Sequence, residues 1–223
     1  MAGQPGMTTR VRDEEAPERR TRDREATERR IFEAATEEFA ERGLAGARID
    51  SIARRAGANK QLIYAYFESK ERLFGAVLGR KLEELSERTP IEPDRIADYA
   101  GEIFDFHADH PELARLLLHE ALHYGGGPVP NDERRQAHNQ KKVEAIRDGQ
   151  ERGIIDPALD PRDLVMIVIG LAAWPSAVPE VTRMIEGGDP GSAQSRARRR
   201  ASVVEATRRI ATAAERPSRP PVA

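Results

Sequence analysis

The chain of 223 residues contains no cysteine, which excludes disulfides and thiol chemistry and permits a reducing compartment. Aromatic residues are only 5% of the sequence, and runs of β-branched residues are scarce, so a β-sandwich is a poor fit. There is no excess charge of either sign: 36 basic residues against 38 acidic ones leave a net charge of −2. Bulk charge therefore gives no hint of a nucleic-acid partner, and any such case must rest on where Lys and Arg fall locally. Long hydrophobic runs are absent too. The longest, Leu164 to Trp174, is too short to span a bilayer. The N-terminus is charged and has no apolar segment, so no secretory signal is expected. A soluble, cytoplasmic protein without a membrane partner is the expectation.

What is present is helical periodicity. Hydrophobic residues are 39% and charged residues 33% of the chain, and Leu, Ala, Glu and Arg fill the periodic stretches. The fold class expected is all-α, as one ordinary domain or a small domain followed by a larger one. Residues 1–22 mix Arg with Glu, lack an apolar face and read as a disordered arm. Its Arg10, Arg12, Arg19, Arg20 and Arg22 could touch DNA, or Asp13, Glu14, Glu15 and Glu18 could merely keep it solvated. A helix is expected from Asp23 to Arg42, with Ile31, Ala34, Ala35 and Phe39 on one face and Gly43 as its stop.

A second helix is expected over Ile49–Ala56, with Ile49, Ile52, Ala53 and Ala56 as its apolar face. Gly57 ends it, because glycine adopts the left-handed conformation of a tight turn at little cost. Asn59 then stands where a third helix needs an N-cap. At about 100° per residue, Leu62, Ile63, Tyr66 and Phe67 fall on one side of that helix. Lys60, Gln61, Tyr64 and Ala65 fall on the other. A helix of about 12 Å is too short to persist alone, so neighbours must hold it. A short helix with an apolar back, a Lys/Gln/Tyr front and a glycine turn before it is the recognition element of a helix-turn-helix. Ser69 caps a further helix over residues 70–88.

The run from Ile31 to Phe74 resembles the DNA-binding domain of the tetracycline-repressor (TetR) family. The resemblance is carried by Phe39, Gly43, Ile52-Ala53, Ala56-Gly57, Tyr64, Tyr66-Phe67 and Ser69-Lys70-Glu71. It implies a helix-turn-helix domain over 23–75 and a helical effector-binding and dimerisation domain over 76–215, leaving 216–223 as a disordered tail. It further implies a homodimeric transcriptional repressor that binds double-stranded operator DNA and is released by a small-molecule effector. Tyr64, Tyr66 and Lys70 are assigned to phosphates, with core packing as the alternative for Tyr66. Lys60 and Gln61 are assigned to base edges, where Lys meets guanine and Gln meets adenine. Asn59 and Ala65 complete the expected DNA face. Two departures stand out. Ala47-Arg48 replaces the Thr that often caps the second helix, so Arg48 is expected to take over its phosphate contact. Ala65 is small where longer side chains can occur.

Beyond Arg88 only periodicity guides the reading. Helices are expected over 94–110, 112–124, 131–152, Pro161 to Trp174 with Pro175 as breaker, and 193–215. On the first two, His107, His110 and Glu120 point inward. With Met166 and Trp174 they are the candidate lining of an effector pocket; a satisfied structural network such as Glu120 with a His is the alternative. His119-Glu120-Ala121-Leu122-His123 matches the zinc-peptidase pattern H-E-x-x-H. The pattern is short, Glu120 falls in the apolar arc, and no third ligand is evident, so no metal, cofactor or catalysis is expected. A zinc hydrolase and a helical protein-interaction module are the alternatives; the second leaves Lys60, Gln61, Tyr64 and Lys70 without a role. The basic run Arg196, Arg198, Arg199 and Arg200 reads as a solvated helix start.

Overall fold

The computed structural model describes residues 15–212, with side chains from residue 23 onward. Among these residues there are ten α-helices and no strand, in the order α1 (Glu15–Gly46), α2 (Ile49–Ala56), α3 (Lys60–Phe67), α4 (Lys70–Arg88), α5 (Ile96–Asp109), α6 (Pro111–Tyr124), α7 (Asp132–Glu151), α8 (Pro161–Ala177), α9 (Pro179–Glu186) and α10 (Ala193–Ala211). No single helix among them is long and apolar enough to cross a membrane.

The first core is built from α1 to α4. Ile31, Ala35, Phe39, Ile52, Ile63, Leu73 and Phe74 are each at most 1% exposed within it, and Phe106, Leu113 and Leu116 enter it from α5 and α6. Phe39 and Phe74 meet edge to face with ring centroids 5.1 Å apart, an arrangement that suits the charge distribution of two rings. The second core joins α5, α7, α8 and α10 through Ile103, Phe104, Ile146, Leu164, Val168, Ala172 and Val203. Thus α5 contributes to both cores, and α6 packs its apolar face into the first. The junction between the expected domains is a packed one.

Charge fastens α10 to α5. Arg196 reaches Asp109 at 2.7 Å and Asp105 at 3.5 Å, and Arg200 reaches Asp105 at 2.6 Å. Arg198 and Arg199 both grip Glu186 at the end of α9. The basic run at 196–200 is therefore an intrachain clamp, where a solvated face was expected.

Three boundaries differ from expectation. Helix α1 begins at Glu15, so Arg19, Arg20 and Arg22 lie on it; Arg10 and Arg12 lie outside the described residues, as does the tail 216–223. The stretch is rich in Glu and Arg, both good helix formers, and Pro17 in a first turn removes no helical hydrogen bond. Pro175 does not end α8, which runs on to Ala177. The break falls at Val178, which precedes Pro179 and is pushed to φ −131°, ψ 65° by the clash of the proline ring with its backbone. There α8 and a short α9 that periodicity did not announce meet at 82°.

At the other end of α1, Gly43 (φ 66°, ψ 178°) kinks the helix and the chain makes one further turn to Gly46. A Cβ at Gly43 would lie 2.6 Å from Nδ1 of His119, so α6 is pressed against the kink. Both the positive φ and the close approach require glycine here.

Candidate nucleic-acid interface

Helix α2 presents Ile49, Ile52, Ala53 and Ala56 to the first core. Gly57 (φ 59°, ψ 35°) closes it in the left-handed region, and the Ala58 N–H returns to the Ala53 carbonyl at 2.9 Å. This 6→1 bond is the mark of a glycine-terminated helix end. The Asn59 side chain accepts the Gln61 N–H at 2.9 Å and starts α3. Three residues thus separate α2 from α3. Arg30 Nε, from α1, donates to the free Ala56 carbonyl at 3.1 Å and steadies the turn from outside.

On α3 only Ile63 is fully buried, with Leu62, Tyr66 and Phe67 half-buried behind it. Asn59, Lys60, Gln61, Tyr64 and Ala65 are exposed together. The expected division into a packed back and a free front is the one observed. After Phe67 the chain turns at Glu68 (φ 63°, ψ −46°), where the Ser69 N–H bonds the Phe67 carbonyl at 2.6 Å in a γ-turn of the strained, positive-φ kind. Ser69 then caps α4 by accepting the Arg72 N–H at 3.1 Å.

Each expected contact residue has a definite place. Arg48 is exposed and forms no ion pair with a described residue. Tyr64 is 41% exposed on the front of α3. Tyr66 packs against the first core and lies beneath the Arg24 guanidinium, 5.2 Å from its ring centroid. Lys70 donates to the Ala47 carbonyl at 3.3 Å and approaches the Ala45 carbonyl at 3.5 Å. Its ammonium thus straps the α1–α2 turn, with a donor left over for a phosphate. Lys60 is held by Asp50, with Nζ 2.9 Å from the nearer carboxylate oxygen.

Sequence reasoning missed Glu38. Arg48 is the N-cap residue of α2 and offers no capping side chain. Instead the wholly buried Glu38 of α1 accepts the Ser51 hydroxyl at 2.8 Å and the Arg48 N–H at 3.2 Å. Arg42 and Arg55 approach it at 3.6 and 3.9 Å. Burial alone would raise its pKa, but the Ser51 hydroxyl, the Arg48 N–H and the two guanidiniums outweigh this and hold it below the ordinary glutamate value. The start of α2 is therefore anchored by a carboxylate of the preceding helix, with no side-chain cap of its own. The signal was a Glu inside the apolar stripe of Ile31, Ala35 and Phe39.

The five expected pocket residues do not converge. Glu120 is buried and bound through both oxygens by Arg135 of α7, each at 2.8 Å, so the structural partner is an Arg and not a His. His110 stacks on Phe106 at 4.4 Å between centroids, with Nδ1 3.4 Å from Glu112. His107 is 2% exposed, and its Nδ1 has no hydrogen-bond partner among the described residues. Burial, and secondarily the neighbouring His110, push its pKa down to about 4. Met166 and Trp174 are 63% and 58% exposed on α8. Helix α8 is apolar nearly all round, but the chain covers only the side bearing Leu164, Val165, Val168 and Ala172. A cleft of about 440 Å³ lies elsewhere, between α1 and α4, and is lined by Phe32, Thr36, Val77, Arg80 and Glu84 among others.

The H-E-x-x-H run is likewise taken up by packing. His119 abuts Gly43, Glu120 is bound to Arg135, and His123 meets Tyr124 edge to face at 4.7 Å. No three His, Cys, Asp or Glu side chains among the described residues are grouped to hold a metal.

A glycine-turned pair of short helices, the second exposing Lys60, Gln61 and Tyr64, packed against a larger helical bundle defines a helix-turn-helix DNA-binding protein. Residues 31–77 match the model for bacterial regulatory proteins of the tetR family, and residues 95–209 match the tetracyclin repressor-like C-terminal domain. The chain belongs to the TetR family of transcriptional regulators. It is 47% identical over 201 residues to the HTH-type transcriptional repressor SCO4008 of Streptomyces coelicolor, covering 90% of this chain and 97% of that one. It is 30% identical over 149 residues to the regulator RutR of Escherichia coli, covering 62% and 68% of the two chains. Among solved structures, the putative regulator SCO4942 of Streptomyces coelicolor superposes with a TM-score of 0.73 at 35% identity, over 86% of this chain and 99% of that one.

Two outcomes follow from this geometry. Glu38→Ala strands the Ser51 hydroxyl and the Arg48 N–H and is expected to cost about 3 kcal/mol in urea unfolding, against under about 1 kcal/mol for Glu41→Ala at the exposed ion pair beside it. For His107, the folded pKa lies below the unfolded one, so stability is intact above about pH 6.5 and falls as the pH drops towards 4. At pH 5 the loss is about 2 kcal/mol, or about 4–8 °C in Tm. His107→Leu is expected to remove that share of the acid sensitivity, measured as Tm between pH 7 and pH 5.

Proposed function

We propose that this protein is a homodimeric repressor that places the α3 helices of two subunits in successive major grooves of a near-palindromic operator. The observation that carries the reading is the shared exposure of Lys60, Gln61, Tyr64 and Ala65 on a helix whose back is seated on a closed core. Lys60 and Gln61 meet base edges, and Ala65 leaves room for them. Arg48, Asn59, Tyr64, Tyr66 and Lys70 fix the register on phosphates, which accept half or more of the hydrogen bonds in such interfaces. For Asn59 the amide N–H₂ remains available, since only its oxygen is used in the cap. The 47% identity to a named repressor supports repression as the outcome of binding.

Dimerisation is supported by the uncovered side of α8. Met166, Ile167 and Trp174 project there at 63%, 38% and 58% exposure, around the small Gly170. Residues of this size at successive helical turns suit a second copy of the same face.

Regulation by a small molecule is the remaining part of the reading. It is supported by His107, a buried group of α5 whose Nδ1 has no hydrogen-bond partner among the described residues, with His110 at the α5–α6 junction and Glu120 on α6. Met166 and Trp174, assigned to the pocket from the sequence, belong to the dimer face in this proposal. An effector that satisfies His107 better in one arrangement of α5 and α6 than in another shifts the balance between them. Because α6 presses on the α1 kink through His119, that shift reaches the spacing of the two recognition helices.

Gln61→Ala is expected to cost about 1–3 kcal/mol at one base pair per half-site and to relax the sequence selected there from a random duplex pool. Unchanged selection removes Gln61 from the reading set. Trp174→Glu is expected to convert the dimer to a monomer by analytical ultracentrifugation, whereas a variant that still sediments as a dimer places the interface elsewhere.

A further inference from the structure

The first residue of the recognition helix does not stand free. Lys60 Nζ lies 2.9 Å from one carboxylate oxygen of Asp50 and donates to the other at 3.0 Å. Asp50 belongs to the first turn of α2 and its side chain is 72% exposed; that of Lys60 is 48% exposed. The two helices that make the DNA-binding unit are thus linked, on its open side, by a cation and an anion that both face solvent. So exposed a pair adds little to the stability of the fold, and the buried contacts of Ile52, Ala56 and Ile63 already hold α2 and α3 together.

The position explains the pairing. A helix N-terminus carries a partial positive charge, so an acid suits the start of α2, whereas a cation at the first position of α3 works against that helix's dipole. The carboxylate offsets the second effect. Its hydrogen bond, and then its charge, raise the pKa of Lys60 and keep the ammonium protonated.

Left unpaired, a lysine here would behave differently. Its ammonium is a compact charge with three donors on a flexible stem, free to reach the nearest phosphate. Such a contact strengthens binding to any duplex and distinguishes none. Paired with Asp50, the ammonium is confined near the start of α3, and the pair as a whole carries no net charge with which to release counterions. One donor remains for an acceptor in the major groove, and Asp50 itself repels a phosphate that approaches in place of a base.

We infer that Asp50 is a specificity-determining residue, which positions Lys60 for a base edge and withholds its charge from the DNA backbone. The inference rests on α3 being the recognition helix.

The test is a double-mutant cycle of Asp50→Asn and Lys60→Met in the full-length protein. Binding is measured between 50 and 200 mM salt to two duplexes of equal length. One is the sequence that the wild-type protein selects from a random pool; the other is the unselected pool. Melting temperatures establish that each variant folds. Asp50→Asn is expected to tighten binding to the unselected pool and to steepen the log–log salt slope by about 0.9, which is about 3.5-fold over that salt range for one added phosphate contact. The ratio of selected to unselected affinity falls accordingly. In the Lys60→Met background, Asp50→Asn leaves the salt slope unchanged. An equal effect of Asp50→Asn in both backgrounds would make Asp50 a plain repulsive charge and overturn the inference, as would no effect in either. Wild-type protein that binds neither duplex in a salt-sensitive manner defeats the DNA-binding reading beneath it, an outcome separate from any result of the cycle.

Discussion

Glu38 has no exposure to solvent and yet carries a charge, so its surroundings must satisfy it or the fold would not tolerate it. The groups that do so come from the next helix. The Ser51 hydroxyl and the Arg48 N–H give it hydrogen bonds, and Arg42 and Arg55 supply the counter-charge. Satisfying this carboxylate fixes where α2 starts relative to α1. Once α2 is placed, the glycine turn at Gly57 and the Asn59 cap leave one course for α3, whose front exposes Lys60, Gln61 and Tyr64. Lys70 closes the arrangement from α4 by bonding the Ala47 carbonyl on the other side of the same turn. The precision of the reading surface thus depends on a buried charge two helices away from it.

A second constraint couples the halves of the molecule. Phe106, Leu113 and Leu116 are buried in the core of the DNA-binding unit although their helices build the rest of the bundle. The Glu120–Arg135 pair ties α6 to α7, and the α5–α10 acid–base clamp ties the bundle to its last helix. A displacement of α5 or α6 is therefore resisted on one side by charge and transmitted on the other through His119 to the α1 kink. Packed interfaces of this kind move between discrete arrangements and do not deform smoothly. That behaviour suits the regulation proposed above.

Much of the interface was legible in the sequence because its determinants are local. Gly57 and Asn59 act on the residues beside them, and an eight-residue helix with one apolar side announces which side is buried. The break after α8 was misplaced because two prolines compete for it, and the one at 179 acts on Val178 while α8 absorbs the one at 175. The surroundings of the pocket candidates were not legible, for a different reason. Helical periodicity says that His107, His110 and Glu120 face inward, but not what they meet there. Arg135, which occupies Glu120, sits on a polar helix with little periodicity of its own. Met166 and Trp174 misled in the opposite direction, since an apolar residue on an all-apolar helix can face a core or a partner.

The sequence by itself determined the helix class, the recognition helix and its exposed face, because these follow from residue periodicity, caps and turns within a few positions of one another. Only the tertiary structure decided what anchors the start of α2, which acid holds Lys60, what occupies Glu120 and which side of α8 is left bare. Each of those depends on groups that lie far apart in the chain or on separate helices. Their meeting is set by packing between helices, which no local pattern encodes.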